Sequence, residues 1–414
     1  MFIKRHCNVP FSQIEWLNTK IYERVILMAI LNSIAGFEKD MAKWRQHLHQ
    51  NPELGRECYK TAEYVSERLK EFGITEIHMG YASSGLVAII EGKAPGRTIG
   101  LRADMDALPI TENTGLSYSS VNEGVMHACG HDGHTAMLLG AARYLSETRN
   151  FSGRVALIFQ PDEEATGGAR AMVEEGFIEQ FQIDEVYALH NIPGHDVGVM
   201  YTRSGPIMAG EDSFSVEIKG KGGHAAYPHE VKDPIVAALS IAQSFQTIVS
   251  RNNIPSDDLV ISITQVHSGT TDNVIPETAY LNGTVRTFDL SVQEMVIGRM
   301  EKIISGLAIS FEVDAKLNYE KGYPPTINHE QATNFAIEVA EDVCGSDQVL
   351  TSVSKEMGAE DFSYMLEKRP GAYLFLGIGE GAGLHNPSYN FNDAAAPIGA
   401  SFFARLIEKA LPLD

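Results

Sequence analysis

From residue 61 to residue 189 the chain alternates amphipathic segments with short apolar ones, and this alternation constrains the fold more than any other feature. The apolar segments are rich in Val, Ile and Leu, which predicts buried strands at 85–90, 98–102, 153–159 and 186–189. The intervening segments repeat apolar residues every three or four positions, which predicts helices at 61–72, 135–146 and 169–179. Strands that alternate with helices are typical of an α/β sheet covered by helices.

The pattern changes near residue 207 and returns after residue 320. Between these points the predicted order is strand, helix, two strands, helix, strand, at 213–218, 234–250, 259–264, 279–286, 291–307 and 311–317. This order suggests a small ferredoxin-like α+β domain. We therefore predict a first domain made of residues 36–206 and 321–414, interrupted by an inserted domain at 207–320. Residues 1–35 are predicted to be an N-terminal extension of unknown role.

Composition and charge narrow the class of protein. The net charge of −21 over 414 residues argues against nucleic acid as a partner, because its phosphates would be repelled. Four widely spaced cysteines do not form a disulfide framework, so a reducing, cytoplasmic compartment is expected. No apolar run is long enough to span a bilayer. The short apolar run at 25–31 leaves open that the N-terminus is a secretory signal. A second open alternative is that translation starts at Met28.

The stretch 127–134 carries the densest set of metal-ligating side chains, with three histidines, a cysteine and an aspartate in eight residues. Cys129 and His131 are two positions apart, so in an extended segment both would point to the same face. A thiolate beside an imidazole suits a borderline-soft divalent metal. The alternative is a buried cysteine beside surface histidines, and this stretch alone does not exclude it.

Further candidate ligands follow the predicted strands, where open α/β sheets place their ligands. The full set is Asp104, Asp106, Cys129, His131, Glu163, Glu164, His190 and His385. These side chains are enough for a two-metal site. In the pair Glu163–Glu164, one carboxylate can bind metal while the other takes a proton from the attacking water. The alternative is a solvated acidic loop, since Asp162 stands beside them.

Eight motifs, in order along the chain, resemble the M20 metallopeptidase family and most of all its amidohydrolase branch. That branch includes hippurate hydrolases, N-acyl-amino-acid amidohydrolases and auxin-conjugate hydrolases. The motifs are RADMDALP (102–109), HACGHDGH (127–134), QPDEE (160–164), GKGGHAA (220–226), NVIP (273–276), GTVR (283–286), MGAEDF (357–362) and LHNP (384–387). The resemblance covers about residues 37–412. It departs at Asp162, where alanine is more common.

The resemblance implies a mixed-sheet, zinc-peptidase-like catalytic domain with an inserted ferredoxin-like lid and dimerisation domain. It implies two divalent ions per subunit, Zn, Mn, Co or Ni, and a homodimer formed through the lid. The metal ligands would be Cys129, His131, Glu164, His190 and His385. Glu163 would be the general base, and Asp106 would orient the site from behind. In the inserted domain His224 would stabilise the oxyanion, and in dimeric relatives the matching histidine reaches the active site of the neighbouring subunit. Asn273 and Arg286 would hold the substrate's carboxylate.

These expectations describe an enzyme that cleaves an N-acyl amino acid, of the hippurate type, into a carboxylic acid and a free amino acid. A deacetylase of an N-acetylated diamino acid and a dipeptidase use the same chemistry and stay open. A non-catalytic binding protein that keeps the fold is a further alternative. The flanks of the insert, Gly205-Pro206 and residues 322–325, suggest hinge ends for a lid that closes, although a rigid two-domain body is also possible.

Overall fold

The computed structural model describes residues 31–413. The predictions for residues 1–30, including the secretory signal and the alternative start at Met28, lie outside the described residues. The strands are β1 (Glu76–Tyr81), β2 (Gly85–Glu91), β3 (Thr98–Asp104), β4 (Arg154–Gln160), β5 (Glu185–Ile192), β6 (Met200–Tyr201), β7 (Gly205–Met208), β8 (Gly210–Lys219), β9 (Gly223–His224), β10 (Leu259–Ser268), β11 (Val274–Ile275), β12 (Thr278–Thr287), β13 (Asp314–Lys321), β14 (Thr326–Asn328), β15 (Val349–Leu350) and β16 (Gly371–Gly377).

The α-helices follow the predicted pattern closely. They are α1 (Asn32–Ala35), α2 (Glu38–Gln50), α3 (Tyr59–Glu71), α4 (His131–Thr148), α5 (Gly168–Glu174), α6 (Phe177–Gln180), α7 (Pro234–Thr247), α8 (Leu290–Phe311), α9 (Glu330–Cys344), α10 (Ser363–Leu366) and α11 (Ala396–Ala410). The single helix predicted at 169–179 is two helices. The helix is interrupted before Phe177 by Gly176, whose φ of 84° lies in the left-handed region.

The chain forms two compact units, and the first comprises residues 31–202, 330–353 and 369–413. Its eight-stranded sheet has the order β1-β2-β4-β3-β5-β16-β6-β15. Strands β4, β3, β5 and β16 run parallel to one another, whereas the pairs β1–β2, β2–β4 and β16–β6 are antiparallel and the edge pair β6–β15 is parallel. This confirms the predicted mixed α/β sheet. The carboxyl ends of the four parallel strands meet at one edge, which is where the polar motifs begin.

The central strands have no wet face, which explains their continuous apolar sequence. All seven residues of β3 are buried, and so are all seven of β16. Helices α2, α4, α9 and α11 contribute apolar side chains to the same core, among them Trp44, Leu138, Val339 and Phe403. A sheet buried on both faces holds the residues at its carboxyl edge on a rigid base.

The second unit comprises residues 203–329 and 354–368. Its main sheet has the order β10-β12-β8-β13, with every neighbouring pair antiparallel. Helices α7 and α8 bury Ile241, Phe245, Val296 and Met300 against this sheet. The element order matches the βαββαβ pattern read from the sequence, and the predicted insert 207–320 lies inside residues 203–329. Its role as a lid and dimerisation domain stays a prediction.

One predicted boundary in the second unit is wrong. The sequence predicted a strand at 311–317, but α8 continues to Phe311 and β13 begins at Asp314. The helix ends at Phe311, and the next residue, Glu312, adopts a left-handed φ of 53°. Of the helices in residues 31–413, none combines the length and hydropathy that a membrane-spanning helix requires.

Candidate metal centre and active site

A turn, not an extended segment, brings Cys129 and His131 together. Cys129 lies in a loop and His131 is the first residue of α4, so the extended geometry expected from the sequence is wrong. Gly130 between them has a φ of 95°, and a Cβ there would come within 2.3 Å of Asn191 Nδ2. Only glycine therefore fits this turn. The metal-ligating atoms of Cys129, His131 and His190 all lie within 4.8 Å of one another.

His190 reaches this cluster from within the sheet. It was expected at the end of a strand, but β5 continues to Ile192 and pairs His190 with Phe375 of β16. Its Nδ1 lies 2.6 Å from the carbonyl oxygen of Asn191, so that nitrogen carries the proton. The Nε2 lone pair is thereby free, and it lies 3.5 Å from Cys129 Sγ.

His385 arrives from the glycine-rich loop after β16. Its backbone N–H donates to the carbonyl oxygen of Ala128 at 2.8 Å, which fastens this loop beside Cys129. Its Nε2 lies 3.2 Å from Glu164 Oε1. The His385 side chain is half-exposed, at 52%, whereas His131 is fully buried. The cluster therefore opens to solvent on the His385 side.

Asp106 joins two members of the cluster from behind. Its Oδ1 lies 3.2 Å from His131 Nδ1, and its Oδ2 accepts the backbone N–H of Glu164 at 3.0 Å. A carboxylate that binds the far nitrogen of a histidine fixes the orientation of the ring. His131 Nε2 then points to Glu164 Oε1, 3.8 Å away. That nitrogen is buried and has no hydrogen-bond partner among residues 31–413.

The donor set fits divalent metal. Within the described residues the candidate ligands form overlapping groups, each with its atoms inside 4.8 Å, namely Cys129/His131/His190, Cys129/Glu164/His385 and His131/Glu163/Glu164. A buried imidazole nitrogen without a partner and a buried thiol between carboxylates are costly unless a cation takes them up. A mixture of sulfur, nitrogen and oxygen suits Zn, Mn, Co or Ni.

Burial and nearby charges shift the pKa values of Cys129 and His131 in this cluster. Burial and the charges of Glu164 and Glu163 raise the pKa of the Cys129 thiol well above its usual range. Burial would lower the pKa of His131, but the charge of Asp104 and the hydrogen bond with Asp106 raise it to about 10. In the metal-free protein at neutral pH, both groups therefore hold protons that a metal would displace.

A histidine that the site prediction left out connects this cluster to its surroundings. His134 Nδ1 lies 2.6 Å from Asp104 Oδ1, and His134 Nε2 accepts the backbone N–H of Asn191 at 2.9 Å. The side-chain amide of Asn191 donates to the carbonyl oxygen of Cys129 at 2.6 Å. His131 and His134 are three residues apart, so helical spacing would have placed them on one face. Nothing in the sequence marked Asn191 apart from its neighbour His190.

The three predicted residues of the inserted domain lie in the second unit. Strand β9, which contains His224, pairs with β11, and the backbone N–H of Ala225 donates to the carbonyl oxygen of Asn273. His224 and Asn273 therefore share one exposed patch. Arg286 lies in β12 and forms an ion pair with Glu211 of β8, with 3.0 Å between its Nη1 and Glu211 Oε2.

Comparison with known proteins identifies the family of the chain. The sequence profile described as Peptidase family M20/M25/M40 matches residues 100–409. The chain belongs to this family. Its members are hydrolases that act on amide bonds. The hippurate hydrolase of Campylobacter jejuni is 40% identical over 384 residues, which cover 93% of this chain and all of that protein.

Two more relatives widen the comparison. The N-acetyldiaminopimelate deacetylase of Anoxybacillus flavithermus is 39% identical over 363 residues, covering 88% of this chain and 95% of that protein. A solved structure from Bacillus subtilis, described as a dinuclear metal-binding peptidase of the M20 family, superposes with a TM-score of 0.81 at 33% identity. It covers 91% of this chain and 99% of that chain. The family and the fold predicted from the sequence are thereby confirmed.

Proposed function

We propose that this protein is a metal-dependent amidohydrolase that cleaves N-acyl amino acids of the hippurate type. The products would be a carboxylic acid and a free amino acid. One observation carries the proposal. The metal-ligating atoms of Cys129, His131, Glu164, His190 and His385 form overlapping groups, and one of these atoms, His131 Nε2, is buried without a hydrogen-bond partner in the described part of the chain. The similarity to hippurate hydrolase, which extends over almost the whole chain, supports this substrate class.

The proposed centre holds two divalent ions, with Cys129, His131, Glu164, His190 and His385 as ligands. When bound, the two ions would polarise the amide carbonyl and make an attacking water more acidic. Glu163 belongs to the cluster and is buried, which suits a general base that takes the proton of the attacking water. Glu163 then returns this proton to the leaving nitrogen, and Asp106 keeps His131 and Glu164 in place.

The second unit is proposed to act as a lid. His224 would stabilise the oxyanion, and Arg286 with Asn273 would hold the carboxylate of the amino-acid part. An arginine suits this task because its planar guanidinium can donate two parallel hydrogen bonds to a carboxylate. A homodimer through this unit is also proposed. Strand β10 supports it, because it is the edge of the main sheet and leaves Val266 half-exposed.

A second candidate is the deacetylation of an N-acetylated diamino acid, which the relative from Anoxybacillus favours. The two candidates share the proposed metal centre and differ in the acyl group and the amino acid. The experiment is therefore a substrate panel of benzoyl- and acetyl-amino acids, acetylated diamino acids and free dipeptides, before and after chelation and metal add-back. Release of acid from one acyl class, lost on chelation, supports the proposal. Cleavage of free dipeptides alone would make the protein a dipeptidase.

A further inference from the structure

The residue before the two glutamates of the site is buried, contrary to the solvated acidic loop that the sequence left open. Asp162 is 1% exposed and Glu163 is 7% exposed. Asp162 also has a φ of 62°, in the left-handed region that aspartate tolerates better than alanine does. Its carboxylate therefore points inward, immediately next to the proposed general base.

Asp162 holds the loop that carries the glutamates through its carboxylate and its backbone carbonyl. Its Oδ2 accepts a hydrogen bond from Arg56 Nε at 2.8 Å and another from the hydroxyl of Thr166. Its Oδ1 accepts the backbone N–H of Thr166 at 3.2 Å, and its carbonyl oxygen accepts that of Gly168 at 2.8 Å. The loop from Asp162 to Gly168 is therefore closed on itself and attached to the segment that follows α2.

This attachment leaves little freedom in the loop. A Cβ on Gly168 would stand 1.7 Å from the carbonyl oxygen of Pro161. The backbone at Gly168 therefore packs directly against the backbone at Pro161. A Cβ on Gly55 would come 3.2 Å from Asp162 Oδ1. The other fixed point is the backbone N–H of Glu164, held by Asp106. Glu163 thus lies between two anchored residues.

The carboxylates of Asp162 and Glu164 have separate partners. Asp162 pairs with the Arg56 guanidinium, while Glu164 lies against His385 and His131. Pairing Asp162 with a cation reduces its repulsion of the two glutamates. Loss of the Arg56 contact would leave three neighbouring anions without this compensating charge. It would also loosen the backbone that orients Glu163 and Glu164.

We propose that Asp162 is a positioning residue, which with Arg56 fixes the direction of Glu163 and Glu164. The activity part of the test rests on the function proposed above. The metal part does not, because it needs only the binding of Mn²⁺ to the metal-depleted protein.

The test compares Asp162→Ala with Asp162→Asn. Asparagine keeps the tolerance for a left-handed backbone and one of the two acceptor oxygens but loses the charge, so its effect should lie between wild type and Asp162→Ala. Alanine removes both the tolerance and the acceptor oxygens. We expect Asp162→Ala to lower kcat by about 10–100-fold with KM little changed, and to raise the Mn²⁺ dissociation constant over a similar range. Arg56→Gln should shift both quantities in the same direction, and the double variant should be no worse than Asp162→Ala.

The matched control is Asp184→Ala. Asp184 also accepts a backbone N–H, that of Thr98 at 2.8 Å, but it is exposed and outside the metal centre. It should lower the unfolding temperature without changing kcat or Mn²⁺ affinity. A folded Asp162→Ala variant with wild-type kcat and Mn²⁺ affinity, or effects equal to those of the control, would overturn the proposal. If the wild type hydrolyses no acyl amino acid, the proposed function fails while the Mn²⁺ titration still decides on Asp162.

Discussion

Arg286 and Glu211 face each other in register on the neighbouring strands β12 and β8, and their side chains form an ion pair of 3.0 Å. Arg286 is the residue proposed to hold the substrate's carboxylate. The Glu211 carboxylate therefore already pairs with the Arg286 guanidinium to which the substrate's carboxylate is proposed to bind. Since the side chains are 24% and 42% exposed, the pair is worth about 0–1 kcal/mol.

The first prediction concerns this competition. Glu211→Gln should lower KM for hippurate by up to about fivefold, because the substrate no longer displaces a resident carboxylate. Arg286→Lys should raise KM, since lysine cannot form the bidentate contact. Steady-state kinetics on hippurate and on its uncharged amide separate the effects, and the amide should respond to neither change. Equal responses of both substrates would remove Arg286 from the carboxylate site.

The second prediction concerns proton transfer. Glu163→Gln keeps the shape of the side chain but not the base, so kcat should fall by about 10²–10⁴-fold while metal content stays near that of the wild type. Glu164→Gln should instead lose metal, because this carboxylate lies among the proposed ligands. The control is Glu174→Gln, an exposed partner of Arg170 on α5. Turnover and metal content measured on the same samples give the comparison, and an active Glu163→Gln variant would contradict the assigned role.

The third prediction concerns protons released by metal. The pKa of about 10 at His131 and the raised pKa of Cys129 keep both groups protonated in the metal-free protein at pH 7.5. Binding of Zn²⁺ must displace these protons, so apparent affinity should rise with pH by about tenfold per unit for each proton released. Calorimetric titration in buffers of different ionisation enthalpy measures the proton count. A binding enthalpy that does not depend on the buffer would contradict the assignment.

Local patterns predicted most of the fold and the cluster. The helical period of Ala62, Val65 and Leu69 predicted α3, and the ends of apolar strands marked the ligand-bearing segments. These signals work because a buried face repeats at the period of its element. The order of elements in the insert followed from the same rule.

What the sequence did not predict depends on contacts between distant residues. Strand β5 extends past His190 because Asn191 and Ile192 pair with β16, about 185 residues later. Asp162 is buried because Arg56, 106 residues earlier, neutralises it. No local sequence pattern reveals such a distant partner. A solvated acidic loop and a loop held by a distant arginine therefore look the same in the sequence.

The last prediction concerns a buried charge network at the first turn of α4. Asp132 Oδ2 lies 2.9 Å from His49 Nδ1 and 3.5 Å from Arg45 Nη1, and all three side chains are fully buried. Burial alone would raise the pKa of Asp132, but the hydrogen bond and charge of His49, with the charge of Arg45, hold it below its usual range. A carboxyl group whose pKa is lowered by folding stabilises the protein above its unfolded pKa of about 3.9, and this is lost as pH falls through the folded value.

Asp132→Asn should therefore lower the free energy of unfolding at pH 7 by about 3 kcal/mol, at the lower end for a broken buried pair because Arg45 keeps Asp393 at 2.7 Å. The deficit should shrink in strong acid, where the wild-type carboxylate also takes up its proton. Urea unfolding of the metal-free protein at pH 7 and at progressively lower pH measures this difference. The control is Asp40→Asn, whose exposed pair with Arg143 should be worth less than about 1 kcal/mol. A deficit that stays constant into strong acid would show that Asp132 stabilises the fold by its shape and not by its charge.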